Sequence, residues 1–483
     1  MLGWLFGIIL VAGAAETDFQ QSSATRTDST RQGTDSVVNK ILHVDRVLII
    51  GNKVTRNRII TRELSLKPGD TVSTKALPGI LQWDKNKLYN LRLFNTVSVR
   101  VLELPNDHID LLVELTERWY IFPAPIFELS DRNFNEWWNN YNHDFNRINY
   151  GMRIYKNNFR GRNESLRVTA QFGYVRKFDL QYKIPNLDRK QKHGITFNFD
   201  YGAPRNLAYR TLDHKLVFLE SKKIVRTSFG AGIGYSYRKT FYETHSVGFF
   251  YRQSQVVDTV LLLNPNYNNN GKTTQKFFSL SYSFNSEHRD VVLYPLKGYQ
   301  FTGFIAKTGL LPNDDVNQLE INLTYAKHWP LGKGFFLSNF SSALWSSPKN
   351  QPYNVLDALG YRNQLVRGFE NYVIEGPEFA LNKTTIKKKI FARAWTLDAM
   401  PLEQFSYFPL AIYIKAFADF GYVQNYPYYD EKGLNQLYSN RLLTGIGGGF
   451  DLVTVYDLVL RLEYTFTQQK PAGAFFFNLK KEF

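Results

Sequence analysis

The chain contains no cysteine. Disulfides, thiolate metal sites, cysteine nucleophiles and a lipidated N-terminal cysteine are therefore excluded. A cysteine-free chain suits passage through an oxidising compartment. Long apolar runs are also missing: only residues 1–15 are continuously apolar, short of the ~20 residues a spanning helix needs. That stretch reads as a signal peptide, with an apolar region at 5–11 and Ala12, Gly13, Ala14 and Ala15 before a cleavage point. No Lys or Arg precedes it, and a buried core helix is the alternative. Reaction motifs are absent too. His143, His288 and His328 belong to no Ser-His-Asp spacing, His-x-x-x-His pair or carboxylate cluster, so neither catalysis, a metal nor a cofactor is expected. The formal charge is +16, but its Lys and Arg residues are scattered. The one dense run, Lys383, Lys387, Lys388 and Lys389, has no aromatic platform beside it, so no nucleic-acid partner is expected.

What the chain has is aromatic residues, 38 Phe and 30 Tyr, in a polar context with negative mean hydropathy. A wall whose two faces meet lipid and water averages in this way. Residues 16–40, rich in Ser, Thr, Gln and Asp, read as a disordered linker. Residues 41–118 predict a small α+β domain in the order β-α-α-β-β. A strand ends at Gly51-Asn52, a helix starts at Thr55, and Lys67-Pro68-Gly69-Asp70 breaks it. A second helix and a hairpin around Pro105-Asn106-Asp107 follow. Residues 119–146, with Phe122-Pro123-Ala124-Pro125, read as an aromatic bridge.

From 147 to 483 apolar and polar residues alternate without helical periodicity. Phe178, Leu180, Tyr182 and Ile184 share one face, as do Phe278, Leu280, Tyr282 and Phe284, and again Leu458, Leu460, Leu462, Tyr464 and Phe466. The segments predict about sixteen antiparallel strands closed into a transmembrane barrel. They start near 147, 163, 177, 191, 210, 224, 241, 273, 297, 316, 334, 386, 408, 441, 457 and 473. A large soluble sandwich is the alternative. With the first strand running outward, odd-to-even connections include the long ones, 257–272, 348–385 and 425–440. The other set is short, as at 174–176, 237–240 and 330–333. Closure then sets the first strand, with Ile148, Tyr150 and Gly151, against the last, with Phe477 and Phe483. Gly151 and the terminal Lys480, Lys481 and Glu482 predict a weak seam there.

Several motifs carry a family resemblance. The hairpin from Asn157 to Glu164 and the turn formed by Arg289, Asp290, Tyr294, Pro295 and Gly298 are two of them. Val366-Arg367-Gly368-Phe369 and Ala418-Asp419-Phe420-Gly421 are the most specific. With the C-terminal Phe475, Phe477, Leu479 and Phe483, they make the chain resemble the bacterial outer-membrane assembly family (BamA/TamA-like, bacterial surface antigen). Its members join POTRA modules to a sixteen-stranded barrel. The resemblance implies a POTRA-like domain at 41–118 in the periplasm, and a lumenal loop whose Arg367 meets Asp419 on the wall. It implies a periplasmic turn at Arg289, Asp290, Pro295 and Gly298. The strand at Thr385-Ile386-Lys387 lacks the family's glutamate, so one acidic partner for Arg367 is expected rather than two. The implied function is insertion or translocation of client proteins at the outer membrane. Unfolded clients would add to a POTRA edge strand, and periplasmic or lipoprotein partners are possible. A single POTRA leaves an accessory member open. A passive polypeptide-secretion channel or pore, and a structural or adhesive surface protein, are the rival functions.

Overall fold

The computed structural model describes residues 40–129, 145–268, 271–361, 364–396, 406–454, 458–468 and 473–479. The expected signal peptide, Phe483 and all of the linker but Lys40 lie outside the described residues, as does the side chain of Phe477.

The N-terminal domain comprises β1 (Ile41–Ile50), α1 (Asn57–Thr61), β2 (Thr71–Ser73), α2 (Leu77–Asn90), β3 (Phe94–Leu104) and β4 (His108–Glu117). Its sheet runs β2-β1-β4-β3, with β1 and β4 parallel. The predicted order lacked β2. The Lys67 to Asp70 break is a turn in which Asp70 Oδ2 accepts from the Lys67 amide at 2.8 Å, and it lays three residues back along β1. Ile59 and Ile60 of α1 and Leu88 of α2 are buried against Phe94, Val97 and Val113 of the sheet. Each such side chain contributes about 1.5–3 kcal/mol by leaving water. Among the described residues β3 pairs only with β4, so its other edge is open.

The large sheet begins with β5 (Ile121–Leu129), β6 (Ile148–Phe159), β7 (Glu164–Gly173), β8 (Val175–Ile184) and β9 (His193–Pro204). A separate hairpin, β10 (Asn206–Leu212) and β11 (Lys215–Glu220), follows. The sheet resumes with β12 (Arg226–Arg238), β13 (Glu243–Val256), β14 (Thr274–Glu287), β15 (Gly298–Thr308), β16 (Gln318–Gly332) and β17 (Phe335–Ser347). Two short strands, β18 (Ala358–Leu359) and β19 (Ile374–Glu375), pair with each other in the next connection. The last five are β20 (Glu378–Thr396), β21 (Tyr407–Gln424), β22 (Leu443–Val453), β23 (Val459–Thr467) and β24 (Gly473–Leu479). Sixteen strands pair antiparallel in chain order, β5 at one edge and β24 at the other.

The outward face is apolar. Leu462 and Phe466 are 54% and 57% exposed, while Glu463 on the same strand and Asp451 on its neighbour are 4% and 0% exposed. Charges inside and aromatics outside invert the soluble pattern and define a barrel wall. Among the described residues no helix is long and apolar enough to cross a membrane.

The count of sixteen stands, but two of its members change. The segment near 210 is not in the wall: β10 turns at Asp213 and His214, both at positive φ, onto β11. The supposed bridge supplies β5 instead. Pro123 and Pro125 hid it, because proline donates no ladder bond. They are tolerated because the Asn157 amide bonds the Tyr120 carbonyl at 2.8 Å, and in the unbroken β5–β6 register that parity turns the nitrogens of 123 and 125 to the open edge. These two errors inverted the predicted strand direction from 148 to 204 and then cancelled. The Gly161 carbonyl accepts from the Arg56 amide at 3.0 Å, so the 160–163 turn lies beside the N-terminal domain and Tyr174 lies on the far side. The strand expected near 386 starts at Glu378, which shortens its connection to 348–377. Short helices α3 (Asp258–Leu263) and α4 (Pro427–Lys432) also occur in far-side connections.

The seam moves as well. Ile148, Tyr150 and Gly151 sit on β6, which is paired on both sides, to β5 and to β7. The sheet's edges are β5 and β24, and among the described residues they do not pair with each other.

Candidate functional site

The 348–377 connection folds inward from the far side. Val366 and Phe369 are buried with Leu359, Ile374, Phe379, Leu381, Val423 and Leu443 in the largest apolar cluster within the barrel. Two glycines allow this approach. Gly368 has φ +95°, and a Cβ there would lie 2.1 Å from Thr467 Cγ2. A Cβ on Gly445 of β22 would lie 2.1 Å from the Arg367 carbonyl oxygen, so the wall itself is hollowed for the loop.

Arg367, between these contacts, is buried. Its Nε donates to Asp419 Oδ2 at 2.8 Å and its Nη2 to Oδ1 at 2.5 Å, a two-point pairing. The Arg367 amide also donates to Oδ2 at 3.1 Å. Nη2 reaches Thr385 Oγ1 at 3.0 Å and Nη1 reaches Glu463 Oε1 at 3.3 Å. The guanidinium lies 3.7 Å from the Phe417 ring centroid. Arg367 thus has two acidic wall partners rather than the expected one. The second, Glu463, comes from β23 rather than from the strand carrying Thr385. Its signal was its alternation with Leu462 and Tyr464, which sets it on the lumenal face.

The charge network continues toward the N-terminal domain. Lys415 Nζ pairs with Glu463 at 2.7 Å and also with Asp451. Tyr294 Oη donates to Asp451 Oδ2 at 2.8 Å, and Lys387 Nζ lies 4.1 Å from the Tyr294 ring centroid. Buried charges need such partners, since an isolated one costs several kcal/mol. Sequence reasoning set Lys415 on the lumenal face but missed Asp451 and the reach of Tyr294.

Tyr294 belongs to the turn between β14 and β15. Arg289 Nε donates to Glu287 Oε1 at 2.6 Å, and Asp290 Oδ1 accepts from the amides of Val291 and Leu296 at 2.8 and 3.1 Å. Pro295 is buried and Gly298 opens β15 at φ +101°. Arg289 and Asp290 hold the turn's shape, while Tyr294 is the part that enters the lumen.

The same turn carries the N-terminal domain. Asn90 at the end of α2 donates to the Asp290 carbonyl at 3.0 Å and accepts from the Val292 amide at 3.1 Å. Glu63 receives two bonds from Arg238 at 2.7 and 3.0 Å, Asn158 donates to Thr55 Oγ1 at 2.8 Å, and Trp83 packs on Tyr242 at 5.6 Å. A cavity of about 350 Å³ lies between this domain and the wall, with Arg62, Glu63, Ser236, Ser246 and Ser283 among its lining.

On the far side the β10–β11 hairpin clamps the inward loop. Glu375 accepts from Tyr429 Oη at 2.7 Å and Thr211 Oγ1 at 3.0 Å, and burial raises its carboxyl above the usual range. His214 is buried, and its Nε2 accepts the Tyr438 amide at 2.9 Å. Burial pushes this imidazole down to about 4.

A wall of sixteen strands around an inward-folded, arginine-anchored loop, fronted by a small α+β module, is the build of an outer-membrane β-barrel with a periplasmic POTRA. The family described as the Omp85 superfamily domain matches residues 158–483, and the POTRA family, described as a surface antigen variable number repeat, matches residues 42–118. The chain belongs to the Omp85 superfamily. Proteins of this superfamily are non-enzymatic outer-membrane factors for insertion or translocation. Among solved structures, CdiB from Escherichia coli is similar at 10% identity and TM-score 0.50, covering 91% of this chain and 74% of that one. BamA from Haemophilus ducreyi lacking POTRA domains 1–3 is similar at 16% identity and TM-score 0.49, covering 91% and 83%. No curated protein matches the chain.

Proposed function

We propose that this chain receives unfolded polypeptides on its POTRA domain in the periplasm and passes them to the outer membrane through the seam between β5 and β24. The observation that carries this reading is the pair of edges left unpaired there among the described residues. A bilayer has no water to satisfy bare strand edges, so such a seam favours an incoming strand as partner. The packed 348–377 loop supports a lateral route over an axial one, because Val366, Arg367 and Phe369 occupy the lumen. The open edge of β3 supplies a first contact by strand addition. The test joins single cysteines on β5 and β24 with a short bismaleimide in this cysteine-free chain. Client insertion or export is expected to stop and to recover with a cleavable linker. Normal client flux through the locked protein overturns the lateral route.

A further inference from the structure

β20 and β21 are longer than the bilayer requires. They have 19 and 18 residues, whereas a membrane strand takes about 9–11. The surplus projects on the N-terminal-domain side. β17 follows β20 only to Lys388, with one more backbone bond from Lys389 to Gly334. β22 follows β21 only to Ala411. Beyond those points the two strands pair with each other alone, from Arg393–Leu410 to Thr396–Tyr407. The projecting ribbon therefore has two open edges among the described residues, 390–396 on one strand and 407–410 on the other.

A two-stranded ribbon is marginal alone, and an open edge is a template for another strand. Here ring contacts brace it: Trp395 lies 6.1 Å from Phe391 and 6.2 Å from Phe408. Ile390 stays 57% exposed. An apolar cleft of about 370 Å³ adjoins it, walled by Tyr89 of the POTRA domain, Leu293 and Tyr294 of the turn, Ala392 and Leu410 of the ribbon, and Val459. Lys388, Lys389 and Arg393 are exposed along the same strand, and neither 388–396 nor 407–411 contains an acidic residue.

We propose that this ribbon is a second strand-addition site, taking an extended polypeptide segment that alternates apolar with acidic residues. The inference rests on the polypeptide-handling reading above. Backbone pairing along the edge supplies affinity without regard to sequence, while the cleft takes an apolar side chain and Lys389 and Arg393 meet carboxylates. The bound strand would touch the POTRA domain, the Tyr294 turn and the wall at once.

The test uses the full chain in nanodiscs with a benzophenone on a single cysteine, at Ile390→Cys on the ribbon or Leu102→Cys on the β3 edge. The probes are synthetic peptides of about ten residues, one alternating Phe with Asp and one alternating Phe with Lys. The Ile390 site is expected to label the Asp peptide at least about tenfold more than the Lys peptide, worth about 1.4 kcal/mol. The pair Lys389→Glu and Arg393→Glu should remove that preference, with labelling at Leu102 and heat-modifiable gel migration unchanged. Labelling at Leu102 alone overturns the ribbon site and leaves polypeptide handling standing. Labelling at neither position by either peptide overturns both. Equal labelling of the two peptides at Ile390 overturns the acidic partner.

Discussion

Arg367 has two carboxylates, a hydroxyl and an aromatic face around it, all on the wall. Arg367→Ala would take the two-point partner from buried Asp419 and leave Glu463 with Lys415 alone, a loss of about 3–5 kcal/mol. The expected result is a lower midpoint for heat-modifiable migration. Arg367→Lys recovers only part of it, because an ammonium cannot reproduce the two-point fit. An unchanged midpoint for the alanine variant would show that the loop is held by its apolar contacts alone. Val366, Arg367, Gly368, Phe369 and Asp419 were legible because a short motif and strand parity carry them. Glu463 and Asp451 were not, since their role depends on which strands face the loop across the lumen. Alternation along one strand gives a face, and no single strand gives its partner across a barrel.

At the level of elements, β5 shows how one residue type can hide a strand. Pro123 and Pro125 read as a break, yet both fit an edge. Missing β5 and misassigning the off-wall hairpin inverted four strands while keeping the count intact. Replacing both prolines with alanine restores two donors to the seam. The new amides at 123 and 125 are expected to be protected from hydrogen exchange, with slower client release; exchange at the rate of a free amide would mean they find no partner. The β10–β11 hairpin gives a pH prediction. His214 is held neutral in the folded cap at a value below its unfolded one, so its contribution is present above about 6.5. That contribution is lost as pH falls through about 4, because unfolding then takes up a proton. Asp213, in the same turn, opposes the downward shift, and Glu375, with its raised carboxyl, gains a proton over the acidic range and offsets part of the loss. Protection of the 348–377 amides, relative to the intrinsic exchange rate at each pH, should fall on acidification from pH 6.5 to 4 in the parent and less in His214→Gln. Equal profiles would place the sensitive group elsewhere.

At the scale of the whole molecule, contacts run without a gap from Asn90 through the Tyr294 turn to Asp451, Lys415, Glu463 and Arg367. The fold class and the two domains were legible from alternation and from the motifs. This docking was not, because Glu63, Arg238 and Asn90 belong to separate segments whose individual patterns reveal no mutual contact. Arg238→Ala should loosen the POTRA domain, read as a drop in cross-linking between cysteines at Trp83 and Tyr242. Full cross-linking would assign the hold to Asn90 and the 160–163 turn. The docking also has a thermodynamic consequence for a client. Two weak sites on one braced frame act on a single chain as a bivalent receptor. Once a segment lies along β3, the next is confined near the ribbon at an effective concentration that short tethers set in the millimolar range, which raises overall avidity about 10²–10⁴ above the affinity of either site. Freeing the POTRA domain would leave both sites chemically intact and still abolish that gain, so a long client should lose far more affinity than a short peptide.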